Sequence, residues 1–126
     1  MPARELLYVG AGGFLGANSR FLVSRAISQW FGGSFPYATL FINVSGSFIL
    51  GFFLIWATER VMADYHLRQF VAIGFCGGYT TFSSYSFETF SLIEQGHYGL
   101  ALSNFLANNV LALGGAVLGA VLARSL

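Results

Sequence analysis

Residues 74–88 read GFCGGYTTFSSYSFE and fall inside one of the most hydrophobic stretches of a 126-residue chain. The flanks are those of a membrane helix. The segment nevertheless holds a Gly-Gly pair, hydroxyls at Thr80, Thr81, Ser83, Ser84 and Ser86, two tyrosines and the carboxylate of Glu88. Glycine costs about 1 kcal/mol relative to alanine inside a helix, and serine and threonine hydroxyls compete for backbone bonds. The pattern therefore predicts a helix broken near 77–81. Broken backbone persists at membrane depth only where protein buries it or where it lines a cavity, and its freed carbonyls are natural cation ligands. Beyond the break, Phe82 and Tyr85 share a helix face and Glu88 follows about one turn later.

The rest of the chain agrees with a membrane setting. Apolar residues make up 56% and charged residues only 9%, against roughly 25% charged in soluble proteins. A bilayer core needs about 20 mainly apolar residues per helix, and four such runs are expected, at about 6–27, 37–58, 69–94 and 98–123. Little chain is left over, so residues 1–126 read as a single four-helix transmembrane domain. The first run is followed by Arg20 and Arg25 rather than by a small-residue cleavage site, which marks a retained helix. A net charge of +1 offers no basic stripe for nucleic acid. Cys76 is the lone cysteine, so no internal disulfide forms, and no Cys/His cluster has zinc-ligand spacing. His66 and His97 fall in the polar connections, where a solvated role is expected.

An even number of spans places both termini on one side with Arg4, Arg60, Arg68 and Arg124, a modest bias towards the cytoplasm. Small residues at Gly12/Gly16, Ser47/Gly51 and Gly115/Gly119 let helices approach closely. So many small faces on so short a chain suggest an oligomer.

Polar groups at membrane depth tend to face a cavity or a partner. Arg20 near the end of the first run reads either as an interfacial anchor or as an attractor of anions. Asn43 in TLFINVSGSF reads either as an interhelical bonding group or as the lining of a path. In SNFLANNVLALGG, Asn104 and Asn108 are four apart on one face, and they too either line a path or fasten helices, while Asn109 points roughly 100° away. These donors are neutral amides and hydroxyls, which favours a small ion that sheds its water over a covalent substrate. An aromatic ring meets an anion at its edge or a cation on its face, and periodicity does not choose between these for Phe82.

GGYTTFSSYSFE, 77–88, resembles the signature of the CrcB/Fluc family of fluoride channels, and the likeness extends to GANSRFLVS in the first run and TLFINVSG in the second. The resemblance implies an all-α integral membrane protein of four transmembrane helices, the third broken, assembled as an antiparallel, dual-topology homodimer in the cell (inner) membrane. It implies passive export of fluoride and protection from fluoride toxicity. It further implies a structural Na⁺ at the dimer centre, held by the backbone carbonyls of Gly77 and Thr80. By the same resemblance the fluoride pathway takes in Asn43, Phe82, Tyr85, Thr39, Thr81, Ser83, Glu88, Asn104 and Asn108, with Arg20 attracting anions. Tyr85 stands where the family usually has a second Phe, keeping the ring edge and adding a hydroxyl. Asn104 and Asn108 stand where some members have other polar groups, and Ala112 where a polar residue is common.

Two other readings remain. A small dual-topology, proton-coupled multidrug transporter needs a membrane carboxylate early in the chain, and the first run has only Glu5, at its edge. A non-conducting scaffold accounts for the glycines but leaves the helix break without a purpose. No nucleophile and base, metal set or phosphate loop supports an enzyme.

Overall fold

The computed structural model describes residues 3–126, and within them the chain is helical with no strand. Helix α1 runs Ala3–Trp30. A turn with Gly33 at φ +103° leads through Pro36 into α2, Tyr37–Ile55, which continues as a wide π-helical stretch over Trp56–Arg60. Pro36 sits immediately before the helix, where its missing N–H is no loss. The third column starts earlier than the apolar run suggests, with α3 at Tyr65–Arg68, and passes through a π-helical segment, Gln69–Cys76, into α4, Gly77–Tyr79. It resumes as α5, Phe82–Glu94, and after a tight turn with Gly96 at φ +80° the chain ends in α6, Tyr98–Ser125.

The break falls inside the expected window, but not at the glycines. Gly77 and Gly78 are helical, and Thr80 (ψ 158°) and Thr81 (φ −147°, ψ 122°) are extended. The reason lies in packing. A Cβ on Gly78 would sit 2.8 Å from the Gly13 carbonyl oxygen, so the missing side chain is what lets α4 lie against α1. Gly12 and Gly16 do the same from the other side, with a Cβ at either meeting the carbonyls of Phe70 or Phe75 at 2.1 and 2.2 Å. Across the molecule, α2 lies along α6, where a Cβ on Gly51 would meet the Ala116 carbonyl at 2.2 Å and one on Gly119 the Phe48 carbonyl at 2.3 Å. Two of the three small-residue pairs read from the sequence, Gly12/Gly16 and Gly115/Gly119, thus lie at helix contacts, as does Gly51 of the third.

Polarity is distributed inside out. Leu7, Phe14, Leu22, Val110 and Leu118 are exposed, whereas Asn104, Asn108, Thr39 and Gln69 are buried. In water this arrangement would place a large apolar surface against solvent; against hydrocarbon it is the stable one. Two helices, Tyr37–Arg60 and Tyr98–Ser125, are long and apolar enough to cross a membrane. At the margin, His66 stacks on Tyr8 with ring centroids 4.5 Å apart and shares a 3.2 Å hydrogen bond with Gln69. The nearby Tyr65 hydroxyl lies beside the Glu5 carboxylate, which raises its pKa above the ordinary phenol value.

Candidate functional site

A helix break frees backbone groups, and each needs a partner. At Thr81 the partner is Asn43, on α2. Thr81 N–H donates to Asn43 Oδ1 at 2.9 Å, and Asn43 Nδ2 donates back to the Thr81 carbonyl at 3.0 Å. The carboxamide thus stands in for a peptide group, as if a short strand were paired with the extended residue. Thr81 also caps the helix that follows, its Oγ1 accepting from Ser84 N–H at 3.1 Å.

The second N–H of Asn43 donates to Asn108 Oδ1 at 3.0 Å. Asn108 Nδ2 in turn donates to the carbonyl and to Oδ1 of Asn104, both at 2.9 Å, and Asn104 Nδ2 donates to Thr89 Oγ1 at 2.9 Å. A single chain of amides therefore ties α2, the break, α6 and α5 together. Asn104 is completely buried within it. Every member is satisfied, the condition under which a buried polar network rigidifies its surroundings.

Two cavities lie on either side of this bridge. The larger, about 240 Å³, is lined by Asn43, Ser47, Thr80, Thr81, Phe82, Tyr85, Asn108, Asn109 and Ala112. The smaller, about 150 Å³, is lined by Arg20, Ser24, Thr39, Thr81, Ser84 and Glu88 among others. Thr81 borders both. Glu88 also borders a third cavity with Ser34, Ser91 and Gln95, which carries the series to the end of the molecule where the 31–36 and 95–97 turns lie. In the larger cavity Phe82 and Tyr85 meet edge to face, with centroids 5.3 Å apart and planes at 63°. Phe82 is exposed and Tyr85 buried.

In the smaller cavity, Thr39 Oγ1 donates to Glu88 Oε2 at 2.9 Å, and the other carboxylate oxygen is buried without a partner among the described residues. Arg20 neither reaches for the interface nor stands wholly free. Its Nε donates to the Gly78 carbonyl at 3.0 Å, placing a cation at the C-terminal end of α4, where the helix dipole favours one. Among the described residues its other guanidinium nitrogens make no hydrogen bond, and the side chain lines the cavity. Ser83 lies on the exposed side of α5, its hydroxyl 3.4 Å from that of Thr81, and neither it nor Asn104 lines these cavities.

The break also leaves carbonyls. The amide that would close a turn onto Gly77, that of Thr81, is engaged by Asn43. The amide that would reach back to Thr80, that of Ser84, is engaged by the Thr81 hydroxyl. Gly77 is exposed, with open space where a side chain would stand. Among the described residues no three His, Cys, Asp or Glu side chains converge as metal ligands. A cation at this place would be held by neutral backbone oxygens, a donor set suited to a hard ion that is not a transition metal.

Asn109 is the residue that the periodicity passed over. Its Nδ2 donates to the Tyr85 hydroxyl oxygen at 3.2 Å and to the Phe105 carbonyl at 2.8 Å. The signal in the sequence was the unusual pairing of a Tyr after the break with a third Asn on the last helix.

Residues 7–120 match the family model described as CrcB-like protein, Camphor Resistance (CrcB). A protein of Koribacter versatilis, called a fluoride-specific ion channel FluC, is 52% identical over 127 residues and is covered completely, as is this chain. Proteins of the same name from a Sulfurihydrogenibium species and from Aquifex aeolicus are 46% and 41% identical, with 97% and 94% of this chain and 98% and 95% of theirs covered.

Proposed function

Because this chain belongs to the CrcB-like protein family, we propose that it is a fluoride-selective channel that lets fluoride leave the cytoplasm down its own gradient and so protects the cell. The observation that carries the reading is the pair of cavities that Thr81 borders in common, one walled by Phe82 and Tyr85 and the other by Thr39 and Glu88. Fluoride is small and strongly hydrated, so it enters only where several donors replace its water. Neutral hydroxyls and ring edges do this without binding so tightly that the ion cannot leave. A fixed deep lysine would hold it. Chloride is larger and more weakly hydrated, and a narrow route lined by such donors serves it poorly.

In this proposal four helical columns cross the cell (inner) membrane, and two copies in opposite orientations form a dual-topology homodimer with two routes. Phe82, Tyr85, Thr81, Thr39 and Glu88 border each route, and Ser83 flanks it. Asn43 borders it while also holding the break open. Asn108 faces the larger cavity, with Asn104 fixing it from behind. Arg20 raises the local concentration of anions through the nitrogens left free by Gly78. A structural Na⁺ at the centre of the dimer would be held by the Gly77 and Thr80 carbonyls and would offset the carbonyl end of the broken helix. The freed state of those two carbonyls supports this placement.

A proton-coupled exporter finds no support, since Glu5 lies at the start of α1 and accepts a hydrogen bond from Gln69 Nε2 at 2.8 Å. The test is anion efflux from liposomes containing purified protein, under an electrical shunt and with no imposed proton gradient. Rapid fluoride loss with little chloride loss is expected. Absence of fluoride loss from folded protein, or flux that requires a proton gradient, would refute the proposal.

A further inference from the structure

The side-chain N–H groups of Asn43 and Asn108, which face the larger cavity, are already engaged within the protein, as is the Thr80 hydroxyl, which donates to the Cys76 carbonyl at 2.9 Å. They hold the cavity's shape. The Ser47, Thr81 and Tyr85 hydroxyls that line the cavity keep a proton to give, and of the three only Tyr85 is buried. The orientation of its hydroxyl follows from Asn109. Asn109 Nδ2 lies 2.8 Å from the Phe105 carbonyl, which can only accept, so the nitrogen end of the amide must face that way. The same nitrogen donates to the Tyr85 oxygen at 3.2 Å, so that oxygen is the acceptor and its hydrogen must point elsewhere. Among the described residues the Tyr85 hydroxyl makes no other hydrogen bond, although the residue is buried and borders the cavity.

We infer that the Tyr85 hydroxyl is a direct hydrogen-bond donor to the anion in the larger cavity, and that Asn109 is the positioning residue that turns it there. The inference rests on the channel reading and deepens it. A phenolic O–H is an acidic, neutral donor, and one that accepts an amide N–H is polarised to donate more strongly. It adds a directed contact to the Phe82 ring edge, 5.3 Å away between centroids. The contact favours fluoride over chloride, because the smaller anion gains more from a short, aligned O–H bond.

The experiment compares the parent, Tyr85→Phe, Asn109→Ala and the double variant in the liposome assay at low fluoride. Removing a hydrogen bond to a charged group is expected to lower fluoride flux about tenfold in Tyr85→Phe. Asn109→Ala should lower it severalfold when Tyr85 is present and have no effect when Phe replaces it. Parental flux in Tyr85→Phe, or equal losses from Asn109→Ala in both backgrounds, would overturn the inference. A second readout does not depend on flux. With ring-labelled tyrosine, the ¹³Cζ resonance of one of the six tyrosines should move on fluoride titration and be missing from the spectrum of Tyr85→Phe. A titration that moves no resonance, or the resonance of another tyrosine, also overturns it. If the parent passes no fluoride, the channel reading fails by itself, and the titration still decides whether this hydroxyl binds the ion.

Discussion

Replacing Asn43 with alanine tests how the break is held. The substitution removes three hydrogen bonds at once: both bonds to the Thr81 backbone, at 2.9 and 3.0 Å, and the bond to Asn108 Oδ1 at 3.0 Å. Side-chain hydrogen bonds between membrane helices average about 0.6 kcal/mol, and buried bonds in general about 1 kcal/mol with larger penalties for orphaned groups. Three such bonds give an expected loss of about 2–4 kcal/mol. Water entering the adjoining cavity would bring the value to the lower end, since it can re-satisfy Thr81. The assay is reversible unfolding in mixed micelles with rising SDS, at one fixed protein concentration, followed through Trp30 and Trp56. Asn43→Asp sharpens the test. It retains an acceptor for Thr81 N–H but turns a carboxylate towards two other acceptors, the Thr81 carbonyl and Asn108 Oδ1, so it should be no more stable than Asn43→Ala. Fluoride flux should fall in both. If Asn43→Ala unfolds within about 0.5 kcal/mol of the parent, below the value of a single buried bond, the carboxamide bridge does not support the break and the reasoning fails.

Phe82→Ile should abolish or greatly slow fluoride flux while leaving unfolding close to that of the parent, because Phe82 is 77% exposed in the single chain and its aromatic partner is Tyr85; unchanged flux would remove the ring from the route. Gly16→Val should prevent α1 from seating on the third column, since a Cβ there would lie 2.2 Å from the Phe75 carbonyl, and normal yield of folded protein on size exclusion would contradict that packing. Replacing all Na⁺ by N-methylglucamine should slow fluoride flux reversibly if the Gly77 and Thr80 carbonyls hold a structural ion, and full flux after exhaustive removal would count against it.

Much was legible in advance because it depends on local chemistry. The length and hydropathy of four runs define the helical columns. Glycine spacing marks where backbones touch, and a cluster of hydroxyls marks a weak helix. The position of the weakness was not so determined. Gly77 and Gly78 looked like its cause, yet the helix runs through them because Gly78 packs on Gly13, and it yields at Thr80 and Thr81, where Asn43 supplies the backbone partner that Thr81 lacks. Arg20 shows the same limit: the sequence left it between anchor and attractor, and a carbonyl 58 residues further along the chain decides its orientation.

Residue type and periodicity determined by themselves that neutral donors would gather on certain helix faces near a break, an inventory that favours a small ion over a covalent substrate. Only the tertiary structure decided which of those donors are engaged. Asn43, Asn104 and Asn108 bond mainly to one another and to the broken backbone, whereas Tyr85 is turned by Asn109 to keep a proton free. The reason is geometric. A helical period places a side chain on a face, but a hydrogen bond needs its partner within about 3 Å and aligned. That depends on the rotation and offset of helices far apart in the chain, which no local pattern encodes.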